Sequence, residues 1–186
     1  MFAALRSDPV GTAAALAYGR VVEQARRPAF FANCAVPDTV DGRFELICLH
    51  AFLYLHRLKR ERPGSARLAQ RFFDTMFADF DRSLREMGTG DLSVGREVKR
   101  MASAFYGRIA AYEAGLAADD AALIAALARN LYGTAPPDAA PLRAMAHYAR
   151  RETASLDRQE AADLIAGRVS FGEAPEGVPE ARAAAG

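Results

Sequence analysis

Residues Arg43–Arg62 read RFELICLHAFLYLHRLKRER, and this stretch decides the fold. Phe44, Ile47, Cys48, Ala51, Leu55 and Leu58 recur at i, i+3, i+4 spacing, the period of an α-helix with a buried face. Leu46, Leu49, Phe52 and Leu53 widen that face until only a narrow polar strip remains, made of Arg43, His50, Tyr54, Arg57 and Glu61. A helix so nearly apolar all round is expected in the middle of a bundle. Its richest part, Phe44 to Leu55, is interrupted by Glu45 and His50 and falls short of the roughly 20 apolar residues that span a bilayer. Pro63 and Gly64 end the helix.

The flanking chain is punctuated in the same language. A first helix is predicted from Thr12, as its N-cap, to Arg26, with Pro28 beyond its end. A short helical turn over 28–34 follows. Pro37, Asp38, Asp41 and Gly42 then mark a connector. After Ser65 as N-cap, a helix over 66–87 carries Leu68, Phe72, Phe73, Met76, Phe80, Leu84 and Met87 inward. Arg67, Arg71, Asp74, Asp81 and Arg85 face out at pairing distance. Gly88-Thr89-Gly90 stops it, and Asp91-Leu92-Ser93 reads as a loop into a helix from Val94 to Leu116. Asp119 caps a helix to Tyr132, residues 133–137 form a turn, and Pro141 suits the first turn of a helix to Leu156. A last short helix covers 159–166. No alternating segment is long enough for a sheet. The expected architecture is all-α: a single-domain, compact bundle of about seven helices over 11–171. Residues 1–10 form a flexible N-terminus and 172–186 a flexible tail rich in Pro, Gly and Ala.

Composition agrees. Among 186 residues, 51% are hydrophobic and 25% charged, with abundant Ala and no Trp, a globular and helix-prone balance. The net charge of +1 supplies no global field toward nucleic acid or anionic lipid, so direct DNA binding is not expected. Cys34 and Cys48 form no CxxC pair and suit a reducing compartment. The N-terminal MFAALRSDPVG lacks the long apolar core of a signal peptide, which points to the cytoplasm.

Sites of chemistry are sparse. A di-iron bundle needs Glu-x-x-His pairs, but Glu45 lies five residues before His50 and Glu152 five after His147. No H-E-x-x-H or cysteine cluster is present, so no metal or cofactor is expected. His50 and His56, six apart, point to different sides of a helix. For His50 a partly buried, hydrogen-bonded histidine is favoured over a haem ligand or proton switch. There is no G-x-S-x-G elbow, and Gly88-x-Gly90 lacks the lysine and strand of a phosphate loop. Asp74, Asp79, Asp81 and Glu86 sit among arginines and read as a salt-bridged face. One feature exceeds this background: Arg96, Lys99 and Arg100 share a helix face beside Asp91, Leu92 and Val94. Apolar anchors within a charged rim suit a partner surface; an ordinary solvated face is the alternative.

Two stretches carry a family resemblance: Arg26–Lys59, RRPAFFANCAVPDTVDGRFELICLHAFLYLHRLK, and Ala69–Tyr112, AQRFFDTMFADFDRSLREMGTGDLSVGREVKRMASAFYGRIAAY. Within them stand Pro37-Asp38-Thr39, Asp41-Gly42-Arg43-Phe44-Glu45, Leu84-Arg85-Glu86-Met87-Gly88, Gly90-Asp91-Leu92, Lys99-Arg100-Met101 and Phe105-Tyr106-Gly107-Arg108. In order and spacing, most of Arg26–Tyr132 resembles the ubiquinol–cytochrome c chaperone family; beyond Tyr132 little is recognisable.

The resemblance implies a helical, non-enzymatic assembly chaperone for ubiquinol–cytochrome c reductase. Its mitochondrial members attend newly made cytochrome b near the ribosome and inner membrane. A bacterial member would work in the cytoplasm, with peripheral contact at the inner face of the cytoplasmic membrane. The expected client-binding residues are Asp91, Leu92, Val94, Arg96, Lys99 and Arg100. The strip Arg43, His50, Tyr54 and Arg57 is a second candidate, with burial against a neighbouring helix as its alternative. The competing reading is a helical-bundle small-ligand or haem-binding protein using His50 or His56.

Overall fold

A computed structural model describes residues 8–133 and 136–176. Every regular element among them is helical: α1 (Pro9–Ala25), α2 (Pro28–Cys34), α3 (Val40–Leu58), α4 (Ala66–Glu86), α5 (Asp91–Ala117), α6 (Asp120–Leu131), α7 (Ala139–Asp157) and the short α8 (Ala161–Ile165). A 3₁₀ turn, Lys59–Glu61, extends α3. The expected all-α bundle is what forms.

α3 lies at the centre because its sequence leaves it no solvent face. Residues 45–54 are all buried, and α1, α5, α6 and α7 pack around them. Phe52 meets Tyr112 of α5 at 5.3 Å between ring centroids, and Tyr54 meets Phe72 of α4 at 5.1 Å. Such aromatic pairs add to the ordinary gain from removing their area from water.

Helix starts differ from the expectation for local reasons. α1 begins at Pro9, since Asp8 is the cap: its Oδ1 accepts from the Gly11 N–H at 2.9 Å, while the Thr12 hydroxyl donates back to Asp8 O. The expected flexible N-terminus is therefore already helical from Pro9, and residues 1–7 lie outside those described. α3 begins at Val40, three residues early. Thr39 caps it by accepting from Gly42 N–H at 3.1 Å. Gly42 is there for closeness, because a Cβ at this position would lie 1.9 Å from Pro37 O. Asp91-Leu92-Ser93 is the first turn of α5, not a loop. Ser65 stands before α4 without capping it; its hydroxyl donates to Leu58 O at 2.6 Å, tying the turn to the end of α3.

The tail also departs from its expected looseness. Gly167, at φ +80°, ends α8, and the Arg168 N–H reaches Asp163 O at 2.8 Å, a glycine-terminated cap. The chain then runs back over the bundle, and Val169, Ala174 and Pro175 are buried. Residues 172–176 are thus packed, because main-chain groups there find side-chain partners on α1, α2 and α7. Residues 177–186, like 134–135 in the expected turn, lie outside those described.

Candidate functional site

The second candidate strip is not a surface. Arg43 alone stays exposed, its Nε 2.7 Å from Asp38 Oδ1 and its guanidinium 5.8 Å from the Phe31 ring. His50, Tyr54 and Arg57 are buried, each bonded to the C-terminal part of the chain. The Tyr54 hydroxyl donates to Leu164 O at 2.8 Å. Arg57 Nε donates to Leu156 O at 3.1 Å, and Nη2 to Gln159 O at 3.3 Å, so a cation sits among the carbonyls at the C-terminus of α7.

The His50 environment assigns its own tautomer. Leu46 O, 2.7 Å from Nδ1, can only accept, so Nδ1 carries the hydrogen. Nε2 therefore accepts from the Tyr148 hydroxyl at 2.8 Å, and Tyr148 accepts from Gln24 Nε2 at 2.8 Å. Burial pulls the His50 pKa down to about 4, keeping the ring neutral. With both ring nitrogens engaged, His50 presents no lone pair to haem iron. His56 faces Glu113, with Nδ1 3.5 Å from Oε1. Among the described residues no cluster of His, Cys, Asp or Glu could hold a metal ion.

The first candidate falls on the hairpin of α4 and α5. Aromatic contacts zip its base: Phe77 with Phe105 at 6.2 Å, and Phe73 stacked on Tyr106 at 5.5 Å. Near its tip Arg85 binds Asp81, Nε to Oδ2 at 2.7 Å, and reaches across the turn to Asp91. Those carboxylates, Asp81 foremost, hold the Arg85 pKa above its usual value. Asp91 pairs with Arg85 across the turn while its side chain stays exposed beside Leu92 in the first turn of α5. Val94 is wholly buried and faces inward, so it supports the tip rather than presenting itself.

Leu92, Arg96, Lys99 and Arg100 do reach solvent together. Leu92 is 97% exposed, an unusual state for an aliphatic side chain on a helix. Arg100 is tied to Glu97, its Nε 3.1 Å from either carboxylate oxygen. That bond lowers the Glu97 pKa and raises that of Arg100. Arg96 and Lys99 have no ion-pair partner among the described residues.

The exposed residues fall in register. Leu92, Arg96, Lys99, Ser103 and Tyr106 repeat at alternating steps of four and three, and all are exposed, so they form one outward stripe. It is about 21 Å long at roughly 1.5 Å per residue. Leu92 and Tyr106 are its apolar ends, and two cations lie between. Tyr106, 59% exposed, also rims a groove of about 350 Å³ with Phe52, Leu55, Phe73 and Ile109. Met87, expected to face inward, is 54% exposed at the C-terminal end of α4. The sequence reading missed Tyr106, although its phase with Leu92 and Lys99 was available.

Beneath the stripe, Arg108 anchors α5 to α3. Its Nε donates to Glu45 Oε2 at 2.6 Å and Nη2 donates to Oε1, with both side chains nearly buried. Burial pushes the Glu45 pKa up, against the pull of the guanidinium. The same guanidinium lies 5.5 Å from the Phe44 ring, which packs on Phe80 of α4.

Fold and site thus define an all-helical protein that displays, on one long helix, exposed apolar side chains and cations without ion-pair partners among the described residues. The chain belongs to the ubiquinol-cytochrome C chaperone family, whose model matches residues 32–171. It is similar to ubiquinol-cytochrome-c reductase complex assembly factor 1 of Xenopus laevis, 29% identical over 148 residues, covering 80% of this chain and 74% of the frog protein. The human assembly factor is 29% identical over 155 residues, covering 83% of this chain and 52% of that protein. The chain thus spans about half the length of the human relative. The crystal structure of the Cbp3 homolog from Brucella abortus matches with a TM-score of 0.80 at 38% identity, covering 91% of this chain and 93% of that one. The family match continues well past Tyr132, where the resemblance ceased to be legible.

Proposed function

We propose that this protein is a non-enzymatic assembly chaperone that binds newly made cytochrome b, at or near its translating ribosome, and promotes assembly of ubiquinol–cytochrome c reductase. The observation that carries the reading is the family match over residues 32–171, which contains the whole α4–α5 hairpin. The outward stripe of α5 supports it physically. A client of apolar helices joined by polar loops calls for spaced apolar anchors with charge between them, and Leu92, Arg96, Lys99 and Tyr106 have that arrangement. Among the described residues no helix is long and apolar enough to cross a membrane, which suits peripheral work at the inner face of the membrane.

The test is capture in a respiring host that carries the complex. Tagged protein is crosslinked briefly, and copurifying chains are identified beside a Leu92→Ser, Arg96→Ala, Lys99→Ala variant. Enrichment of cytochrome b that fades in the folded variant is the expected result. Absence of cytochrome b from the wild-type eluate would sink the client assignment. Equal capture by wild type and variant would sink the α5 stripe.

A further inference from the structure

Residues 169–176, Val-Ser-Phe-Gly-Glu-Ala-Pro-Glu, form a strap with no helix or strand of its own. It is held almost wholly through its main chain. The Gln159 side-chain amide pairs with Ser170 twice: Nε2 donates to Ser170 O at 2.7 Å and Oε1 accepts from Ser170 N–H at 3.0 Å. Gln159 lies just past the end of α7, and seven residues earlier, within that helix, Glu152 Oε2 accepts from Gly172 N–H at 2.8 Å. Gln24 of α1 donates to Gly172 O at 2.9 Å, Arg151 donates to Glu173 O, and Asn33 of α2 donates to Pro175 O at 3.2 Å. The only polar contact to a strap side chain among the described residues is Arg27 with Glu173, at 3.4 Å and largely in solvent.

Partners move from Gln159 to Glu152 as the strap advances two residues, so the strap runs antiparallel to α7 in a stretched conformation. Its side chains are read only for size and apolarity. Val169 and Ala174 are buried, and Phe171 meets His50 edge-on at 5.3 Å. Glycine suits position 172, because a Cβ there would lie 2.8 Å from Glu152 Oε1 and would push the carboxylate off its bond to the Gly172 N–H. Recognition of an extended segment by main-chain bonds plus alternating pockets is the pattern of peptide-binding sites.

We infer that the surface of α1, α2 and α7 is a binding site for an extended polypeptide segment of the pattern apolar-x-aromatic-Gly-x-Ala-Pro. In the resting protein its own strap fills the site, and a partner chain with that pattern exchanges with it. Bonds to the main chain are the same for any chain of suitable shape. Glu152 is wholly buried, and without an occupant it keeps only the Arg151 guanidinium. An empty site gives up the main-chain bonds and the burial of Val169 and Ala174, and an exchanging segment restores both. This site is separate from the α5 stripe and does not depend on the identity of the client there.

The experiment uses the full chain in two variants, Gly172→Leu and one with residues 169–176 replaced by Gly-Ser repeats. The probe is the synthetic peptide Val-Ser-Phe-Gly-Glu-Ala-Pro-Glu. Saturable binding to both variants is expected, with a rise in melting temperature. Wild type should bind at least about tenfold more weakly, since its tethered strap competes at high effective concentration. A peptide with Ser and both Glu changed to Ala should bind as well, and one with Gly changed to Leu should fail. If either variant is folded, with a mobile strap by hydrogen exchange, and binds no peptide, the inference is overturned. It is likewise overturned if both variants unfold and the peptide restores neither, because the strap is then an inseparable part of the core. Loss of binding by the Ala-substituted peptide would overturn main-chain reading.

Discussion

Arg108 and Glu45 form a two-pronged ion pair that joins α5 to α3 across 63 positions of sequence, with Nε and Nη2 each donating to a carboxylate oxygen. Burial of the pair makes it a test of how the stripe-bearing helix is held. Arg108→Ala leaves a carboxylate underpartnered in a nearly buried place, and the expected loss is roughly 3–5 kcal/mol. Changing both residues to Leu should recover most of it, a double-mutant cycle read by chemical denaturation. The pH dependence follows from the raised Glu45 pKa. The folded chain binds that proton at higher pH than the unfolded chain, so this group opposes folding as pH rises through and above the carboxylate range. Without Arg108 the rise is steeper, and the deficit of Arg108→Ala should shrink as pH falls from neutral.

His50 titrates in the opposite sense. Its pKa falls from 6.5 to about 4 on folding, because burial opposes the charged ring. Between those values the unfolded chain binds a proton that the folded chain does not. Stability should therefore fall as pH drops from about 6.5 toward 4. His50→Leu should be less stable at pH 7, since the Tyr148 hydroxyl loses its acceptor, and should show a flatter pH slope across that window in thermal melts.

Two glycines in helices should respond with opposite signs. Gly42→Ala places a methyl 1.9 Å from Pro37 O, and the backbone must move to admit it. A loss of at least about 2 kcal/mol is expected, in line with other strained backbone positions. Gly95→Ala, on the exposed side of α5 with nothing within 4 Å, should gain about 0.5–1 kcal/mol from helix propensity. Denaturant midpoints of the two variants check both.

On the α5 stripe, binding and stability should separate. Leu92→Ser removes a side chain that is 97% exposed and should change stability by under about 0.5 kcal/mol, whereas Tyr106→Ser also gives up the stack on Phe73 and should cost about 1 kcal/mol. On the proposed function, each should weaken capture of the proposed client, cytochrome b, by about tenfold, the effect of losing an interface anchor. Val94→Ser should do the reverse, costing stability because Val94 is wholly buried. Comparing crosslinked yield with melting temperature distinguishes the two roles.

What the sequence determined by itself was whatever depends on neighbours within a turn or two. Spacing of apolar residues along Arg43–Arg62 placed α3 at the centre, and Gly88-Thr89-Gly90 marked the hairpin of α4 and α5. The basic group Arg96, Lys99 and Arg100 was legible as a shared face, because three and four residues make one helical turn. Motif order carried the family. Tertiary structure decided the fate of each polar group whose partner lies far along the chain. His50 meets Tyr148 98 residues away and Tyr54 meets Leu164 110 residues away, so a polar strip on α3 became the floor of the C-terminal packing. The same holds for residues 172–176. Gly, Ala, Pro and Glu look like loose chain, but Gln24, Asn33, Arg151 and Glu152 bind their main-chain groups. No local pattern encodes those bonds, because the backbone atoms they engage are common to every residue type.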